Sequence, residues 1–137
     1  MSLRIVASAA ERVRATVPTT LVLDQVSEQR VEGTGTSIIE VVYGGSWGPT
    51  PNNARHHVVQ VNVLADRTRD VHGLPVKDDA DRNAYALWLR IDPLLNDVDH
   101  AWSAVHSSRR ANGPTLTNIP DSDGAVMLTA RYEVSCD

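Results

Sequence analysis

The sequence predicts an α+β fold in which two helices pack on one face of a mainly antiparallel sheet of four or five strands. Two segments repeat their apolar residues at helical spacing, while two others alternate their residues with a period of two. The predicted strands come in pairs joined by turn-rich segments, and this order favours an antiparallel sheet over a strictly alternating parallel one. A length of 137 residues suits one domain spanning residues 1–137.

Each predicted helix has an apolar stripe and a defined end. The first stripe lies before Pro18, which should stop the helix, and consists of Val6, Ala9, Ala10, Val13 and Val17. The second stripe consists of Ala80, Ala84, Leu87, Trp88 and Ile91. It follows Asp78, Asp79 and Asp81, whose carboxylates suit a helix N-terminus as caps and as partners of the helix dipole. Pro93 is predicted to end or kink this second helix.

Four segments are predicted as strands. Residues 21–23 form a short one, and residues 37–43 form a β-branched one that ends at two glycines. The clearest alternation runs through HHVVQVNVLAD, which predicts a central strand, and AVMLTARYEV closes the sequence with the same period. Gly44 to Arg55, between the second and third predicted strands, is predicted to be a long loop. The stretch from Ser107 to Gly124, before the last strand, is polar and turn-rich.

Composition narrows the functional classes. The net charge is -4 and the pI is about 5.7, so the chain lacks the basic surface that grips nucleic-acid phosphates. Cys136 is the only cysteine, which excludes an intrachain disulfide. Glu11 and Arg12 interrupt the first apolar stretch, so we expect no signal peptide there, and no apolar run is long enough to predict a membrane span.

The motifs that could indicate a catalytic or ligand-binding site are weak. His56 and His57 are adjacent on a predicted strand and should therefore point to opposite faces, which disfavours a shared metal ion. The GTGT segment at Gly33 lacks the lysine and the helix start of a phosphate loop, and the DSDG segment at Asp121 is predicted to be a turn. We expect no catalytic residue, no metal and no cofactor.

A candidate interface emerges from the same alternation. If the apolar residues of the last two strands face the helices, then Gln60, Asn62, Thr129, Arg131 and Glu133 share the other face, together with Glu40 if its strand is aligned. That face is either exposed to solvent, as is common in antiparallel sheets, or it forms a hydrated subunit interface or lines a channel. Trp47 adds an aromatic anchor in a predicted loop. The candidate interface residues are Trp47, Arg55, His56, Gln60, Asn62, Arg67, Arg69, Arg131 and Glu133.

The whole layout resembles the tail terminator proteins of long-tailed, siphovirus-type phages. The resemblance rests on the first helix ending at Pro18, on SIIEVVYGG and HHVVQVNVLAD, on the helix DADRNAYALWLRI and on the terminal ARYEV. It covers nearly the full chain. The polar tract from His100 to Thr117 departs from the compact helix-to-strand connection of the family.

The resemblance implies a structural protein, not an enzyme. Such a protein forms a ring, typically a hexamer, that caps the tail tube, ends its polymerisation and forms part of the head–tail joint. The implied partners are other copies of itself, the major tail tube protein and a head-side connector protein, while genomic DNA passes through without specific binding. The implied location is the virion tail at the head–tail junction, after assembly in the host cytoplasm and without a membrane.

Two alternatives stay open from the sequence. Another neck protein, a stopper or an adaptor, would also be small and acidic and lack catalytic residues. A small metal-dependent enzyme would need His56, His57 and nearby acids to converge in one pocket.

Overall fold

A computed structural model describes residues 2–47, 56–96, 98–99 and 105–136 of the chain. Its elements follow in the order α1 (Ser2–Thr16), β1 (Leu21–Leu23), β2 (Ser37–Trp47), β3 (His56–Ala65), α2 (Ala80–Leu95), β4 (Val98–Asp99), β5 (Val105–Asn118) and β6 (Val126–Cys136). The predicted α+β class is confirmed.

The strands form one sheet in the order β1-β2-β3-β6-β5-β4. Every neighbouring pair is antiparallel except β1 with β2, which is parallel. Five strands have three or more residues, and β4 adds two residues at the edge. The prediction of a mainly antiparallel sheet is therefore confirmed, with β3 in a central position.

Both helices pack on one face of this sheet, called here the helix face. The alternation of β3 places Val59, Val61 and Val63 on that face, all fully buried. They share a single core with the stripes of α1 and α2 and with Leu128 and Tyr132 of β6. The predicted stripe of α1 is buried throughout, within the core that α1 shares with the sheet and with α2.

The prediction that β2 ends at Gly44 was wrong, since the strand continues to Trp47. Gly44 and Gly45 lie within β2 and do not terminate it. A Cβ atom at Gly44 would lie 2.7 Å from Cγ1 of Val58, so only glycine allows β2 and β3 to approach at this point. The pairing also shifts register between Tyr43 and Gly45, as at a β-bulge.

The polar stretch after Ser107 contains a strand that the sequence pattern did not predict. Strand β5 pairs with β6 along most of its length but shifts register at three points. Gly113 lies at one of these shifts with φ +94°, and a Cβ atom there would lie 2.6 Å from the Thr129 carbonyl oxygen. Because β5 is irregular, mostly polar and near the sheet edge, its sequence lacks apolar alternation.

Helix α2 continues through Pro93 to Leu95 instead of ending there. Pro93 lies in the last turn, where the missing N–H removes one hydrogen bond and little of the helix remains to be broken. The turn is completed by the Asn96 N–H, which donates to the Asp92 carbonyl at 2.8 Å.

The segment between β1 and β2 folds across part of the opposite face of the sheet, called here the second face. Val31 of this segment packs with Ile38 and Ala125 in a small separate apolar cluster, which Leu64 and Ile119 border. One end of the second face is therefore covered by the chain itself. Among the described residues, no helix is long and apolar enough to cross a membrane.

Candidate interface on the second sheet face

Strand register brings polar residues from four strands together on the second face. Asn62 of β3 lies opposite Glu40 of β2 on one side and opposite Thr129 of β6 on the other. Thr129 in turn lies opposite Thr115 of β5. We call the resulting set the polar patch; it consists of Glu40, His56, Gln60, Asn62, Arg109, Asn112, Thr115, Thr129, Arg131, Glu133 and Ser135.

Hydrogen bonds link the centre of the polar patch into one chain. The Asn62 side-chain amide donates to Glu40 Oε1 at 3.0 Å, and the Asn62 carbonyl oxygen accepts from Gln60 and from Thr129, each at 3.0 Å. Arg131 Nε then donates to Gln60 Oε1 at 3.0 Å. Each side chain of this central chain is bonded to its neighbour, so the centre of the patch presents its groups in fixed positions.

Burial decreases along this chain from β2 towards β6. Glu40 and Asn62 are only 4% and 5% exposed, whereas Arg131 is exposed. The covering segment explains the buried end, since the Ser27 N–H donates to Glu40 Oε2 at 2.6 Å. A buried carboxylate is tolerated because both of its oxygens accept hydrogen bonds.

A second group of side chains extends the polar patch to the other end of the strands. Arg109 donates to Glu133 Oε2 from Nε and Nη2, at 3.1 and 3.0 Å, and His56 Nδ1 lies 3.1 Å from Ser135 Oγ. These four residues and Ser107 line a shallow depression of about 330 Å³. A depression of about 310 Å³ lies beside it, lined by residues such as Asn112, Thr115 and Arg131.

The charges of the polar patch balance. Two carboxylates, Glu40 and Glu133, stand against two guanidinium groups, Arg109 and Arg131. Two depressions with balanced, mutually bonded polar side chains suit a wet protein contact, in which water bridges groups that do not meet directly.

His56 and His57 lie on opposite faces, as the alternation of β3 predicted. His57 lies on the helix side of the strand, where its Nδ1 is 2.8 Å from the Tyr43 hydroxyl. Burial lowers the pKa of His57, and the charge of His56 lowers it further. Within the described ranges, no group of three or more His, Cys, Asp or Glu residues is placed to hold a metal ion.

Arg67 and Arg69 do not belong to the polar patch, although the sequence grouped them with it. They follow β3 in a loop at the sheet end, where Arg67 Nη2 lies 2.8 Å from Asp123 Oδ2. Arg69 Nε lies 2.6 Å from Oδ2 of Asp66, a carboxylate that is 1% exposed. Both arginines are thus engaged in ion pairs within the chain.

Asp66 also binds the GTGT segment, which begins at Gly33. Its Oδ2 accepts the backbone N–H groups of Gly33 and Gly35, each at 2.9 Å. Burial opposes ionisation of Asp66, but the hydrogen bonds from Arg69 and from the backbone outweigh it and lower the pKa. The amides that could bind a phosphate therefore already bind the protein's own carboxylate.

The predicted helix cap has a different role from the one expected. Asp79 occupies the N-cap position of α2 without a side-chain capping bond. Its carboxylate instead accepts from the Thr68 N–H at 2.9 Å and from the Thr68 hydroxyl at 2.6 Å, which lowers its pKa. The aspartate fixes the loop that precedes the helix.

Two candidate residues cannot be placed in the interface. Trp47 was expected in a loop, but its backbone pairs with His56 at the end of β2. The Trp47 side chain and the whole of Arg55 lie outside the described residues.

Sequence reasoning missed the contribution of β5 to the polar patch. Arg109, Asn112 and Thr115 come from a tract whose polarity resembles that of a loop. The sequence of the partner strand β6 offers the only usable signal for β5. The polar residues of β6 on the second face favour polar residues opposite them on a neighbouring strand.

Comparisons with known proteins add little to this geometry. No protein-family model and no curated protein sequence matches the chain. One of the solved structures that match the chain is similar over 93% of this chain and 88% of its own, with 16% sequence identity and a TM-score of 0.46. Its name describes no activity, ligand or partner.

Proposed function

We propose that this chain is a structural phage protein that assembles as a ring on the end of a tail tube, stops tube growth and joins the tail to the head. The observation that supports the proposal most is the polar patch, an extended surface of preorganised side chains with balanced charge. Together with the family resemblance of the element order, it favours a protein whose function is to dock.

The polar patch differs from an ordinary solvated sheet face in two respects. Its side chains are bonded to one another, from Asn62 to Gln60 and on to Arg131, so little side-chain entropy remains to be lost on docking. It also contains depressions that a partner's side chains and bound water can fill. Both features lower the free-energy cost of forming a wet contact.

A closed ring needs two different contact surfaces on each subunit, because a head-to-tail contact closes only when its rotation returns to the start. We propose the polar patch on the second face as one of these surfaces. The net charge of -4 also suits a ring that DNA traverses, since a mildly acidic protein has few cations with which to hold phosphates.

The test is binding to tube ends. Tail tubes assembled from a purified major tail tube protein are mixed with the purified protein and imaged by negative stain. The proposal expects a ring at one end of each tube and an end to further elongation, which light scattering follows. Tubes that stay bare and continue to grow at saturating protein would contradict it.

A charge reversal in the polar patch sharpens the test. Arg131→Glu should weaken tube-end capping by at least about tenfold, because it places a third carboxylate beside Glu133 and removes the donor to Gln60. Arg82→Glu is the matched control, an exposed arginine of α2 on the other side of the molecule. Equal capping by both variants would remove the polar patch from the contact.

The same binding assay, with a purified head-side connector added, distinguishes a terminator from another neck protein. A stopper or adaptor would bind the purified head-side connector and leave tube ends bare. That result would overturn the terminator assignment and keep the protein at the head–tail joint. Genes for a head connector on one side and a tail tube protein on the other would support either neck role.

A further inference from the structure

Asn112 is the only asparagine of the chain that is followed by glycine. The backbone nitrogen of the next residue can attack an asparagine side chain, and the attack is fastest before glycine, which has no Cβ atom to hinder it. Regular secondary structure suppresses this reaction, because it fixes the backbone and engages the nitrogen in a hydrogen bond. The reactivity of Asn112 therefore depends on how firmly β5 holds it.

Asn112 and Gly113 lie in an irregular part of β5. The pairing with β6 passes from Asn112, opposite Arg131, directly to Thr115, opposite Thr129. The register shifts on both sides of Asn112. Gly113 therefore lies outside the regular pairing of the two strands, at the point where the reaction takes place.

The fold also determines which residue follows Asn112. Gly113 has φ +94°, and a Cβ atom there would lie 2.6 Å from the Thr129 carbonyl oxygen and 3.0 Å from Ala130 Cα. A side chain at this position would be strained by the backbone conformation and would clash with β6. The irregular pairing therefore requires, directly after Asn112, the residue type that most favours the attack.

The Asn112 side chain is exposed to solvent. Together with Gly113 it borders the depression of about 310 Å³ on the second face. Within the described ranges it forms no hydrogen bond, whereas the side chains of Asn62, Asn83 and Asn96 each form at least one. The Asn112 amide is therefore free to rotate towards the Gly113 nitrogen, and water reaches both groups.

We propose that Asn112 is a site of spontaneous deamidation. The Gly113 nitrogen forms a bond to Cγ of Asn112, the Cγ–Nδ2 bond breaks, and the side-chain nitrogen leaves as ammonia with the proton of the Gly113 N–H. Water then opens the cyclic imide at one of its two carbonyl carbons, which gives aspartate or isoaspartate. Nothing is oxidised or reduced, and water is the only co-reactant.

The product changes the charge of the polar patch. Glu40 and Glu133 balance Arg109 and Arg131 before the reaction, so a carboxylate at residue 112 leaves one negative charge in excess. Isoaspartate also adds one carbon to the backbone of β5. Free subunits should therefore lose the ability to dock through the patch as they age, a consequence that rests on the proposed function, whereas the deamidation itself does not.

Peptide mapping by mass spectrometry tests the reaction. The folded protein is incubated in a mildly alkaline buffer, sampled over time and digested, and tandem spectra assign the product to a residue. Asn118 is the matched control in the same molecule, since it is also exposed in β5 but precedes β-branched Ile119. Asn112 should convert at least about tenfold faster than Asn118. A smaller ratio in the folded protein would overturn the proposal, even if the protein in urea reaches it.

Two variants separate the modification from the proposed function. Asn112→Asp should cap tail-tube ends at least about tenfold more weakly than Asn112→Gln, which keeps a neutral amide and forms a cyclic imide much more slowly. Equal capping by the two variants would overturn the effect on docking. Conversion of Asn112 in a protein that caps no tubes would uphold the modification and reject the proposed function. Capping by a protein in which Asn112 stays intact would overturn the modification and leave the function standing.

Discussion

The two faces of the sheet are built by the same strands from alternate residues, yet they differ in almost every physical property. On the helix face, Val61 and Leu128 are fully buried in a continuous apolar core. On the second face, their chain neighbours Asn62 and Thr129 are bonded into a polar chain. The helix face holds the fold together, and we propose that the second face is reserved for docking.

Truncation of a residue on the helix face should have the largest effect. Leu128→Ala removes a fully buried side chain and should lower the free energy of unfolding by about 3 kcal/mol in urea denaturation. Thr129→Ala, one residue along on the second face, should cost less than about 1 kcal/mol because it loses one partly solvated hydrogen bond. Equal losses would contradict the division between the faces.

The helix face has a polar group of its own, and its removal should have the next largest effect. The Tyr132 hydroxyl donates to Asp92 Oδ1 at 2.8 Å and accepts from Trp88 Nε1 at 3.1 Å. Burial raises the pKa of Tyr132, and Asp92 raises it further, so the hydroxyl remains a donor. Arg110 balances Asp92 from β5 at 3.0 Å.

Tyr132→Phe should therefore cost about 2 kcal/mol of unfolding free energy, because the Trp88 N–H and one Asp92 oxygen lose a buried partner. Gln60→Ala, which breaks a comparable pair of bonds on the second face, should cost clearly less, because water can replace them. Urea denaturation of both variants checks the ranking. A larger loss in Gln60→Ala would show that the polar patch also stabilises the fold.

A smaller effect should come from pH. Burial lowers the pKa of His57 from its ordinary value of 6.5, so the unfolded chain binds this proton more readily than the folded one. Stability should therefore fall as the pH drops below about 6.5 and level off below the folded pKa. His57→Gln should flatten this dependence, and His72→Gln, which changes an exposed histidine of the loop between β3 and α2, is the matched control. Parallel pH profiles for all three proteins would refute the assignment.

The faces themselves could be predicted because alternation in β3 and β6 is a local property of the sequence. Gln60, Asn62 and Arg131 were placed on the second face from periodicity alone. Glu40 was placed there on the condition that its strand is aligned, and its pairing with Asn62 in the structure meets that condition. Both helices could be predicted for the same reason, since each carries its apolar stripe within one segment.

The features that escaped prediction depend on contacts between distant segments. Asp66 binds Gly33 and Gly35 across more than thirty residues, so nothing near Asp66 in the sequence indicates its role. Strand β5 exists because β6 offers it an unpaired edge, whereas its own polar sequence favours a loop. In β5, pairing with the sheet overrides the local propensity of the sequence.

The central claim is that assembly covers the polar patch, and cysteine labelling tests it most directly. Thr115→Cys, in a Cys136→Ser background, puts a thiol at an exposed position of the patch, and Arg82→Cys puts one on the solvent side of α2. Maleimide labelling is timed for free protein and for protein bound to tail tubes. The account predicts that binding slows labelling at residue 115 at least about tenfold and leaves residue 82 unchanged. Undiminished labelling at residue 115 in tube-bound protein would contradict it.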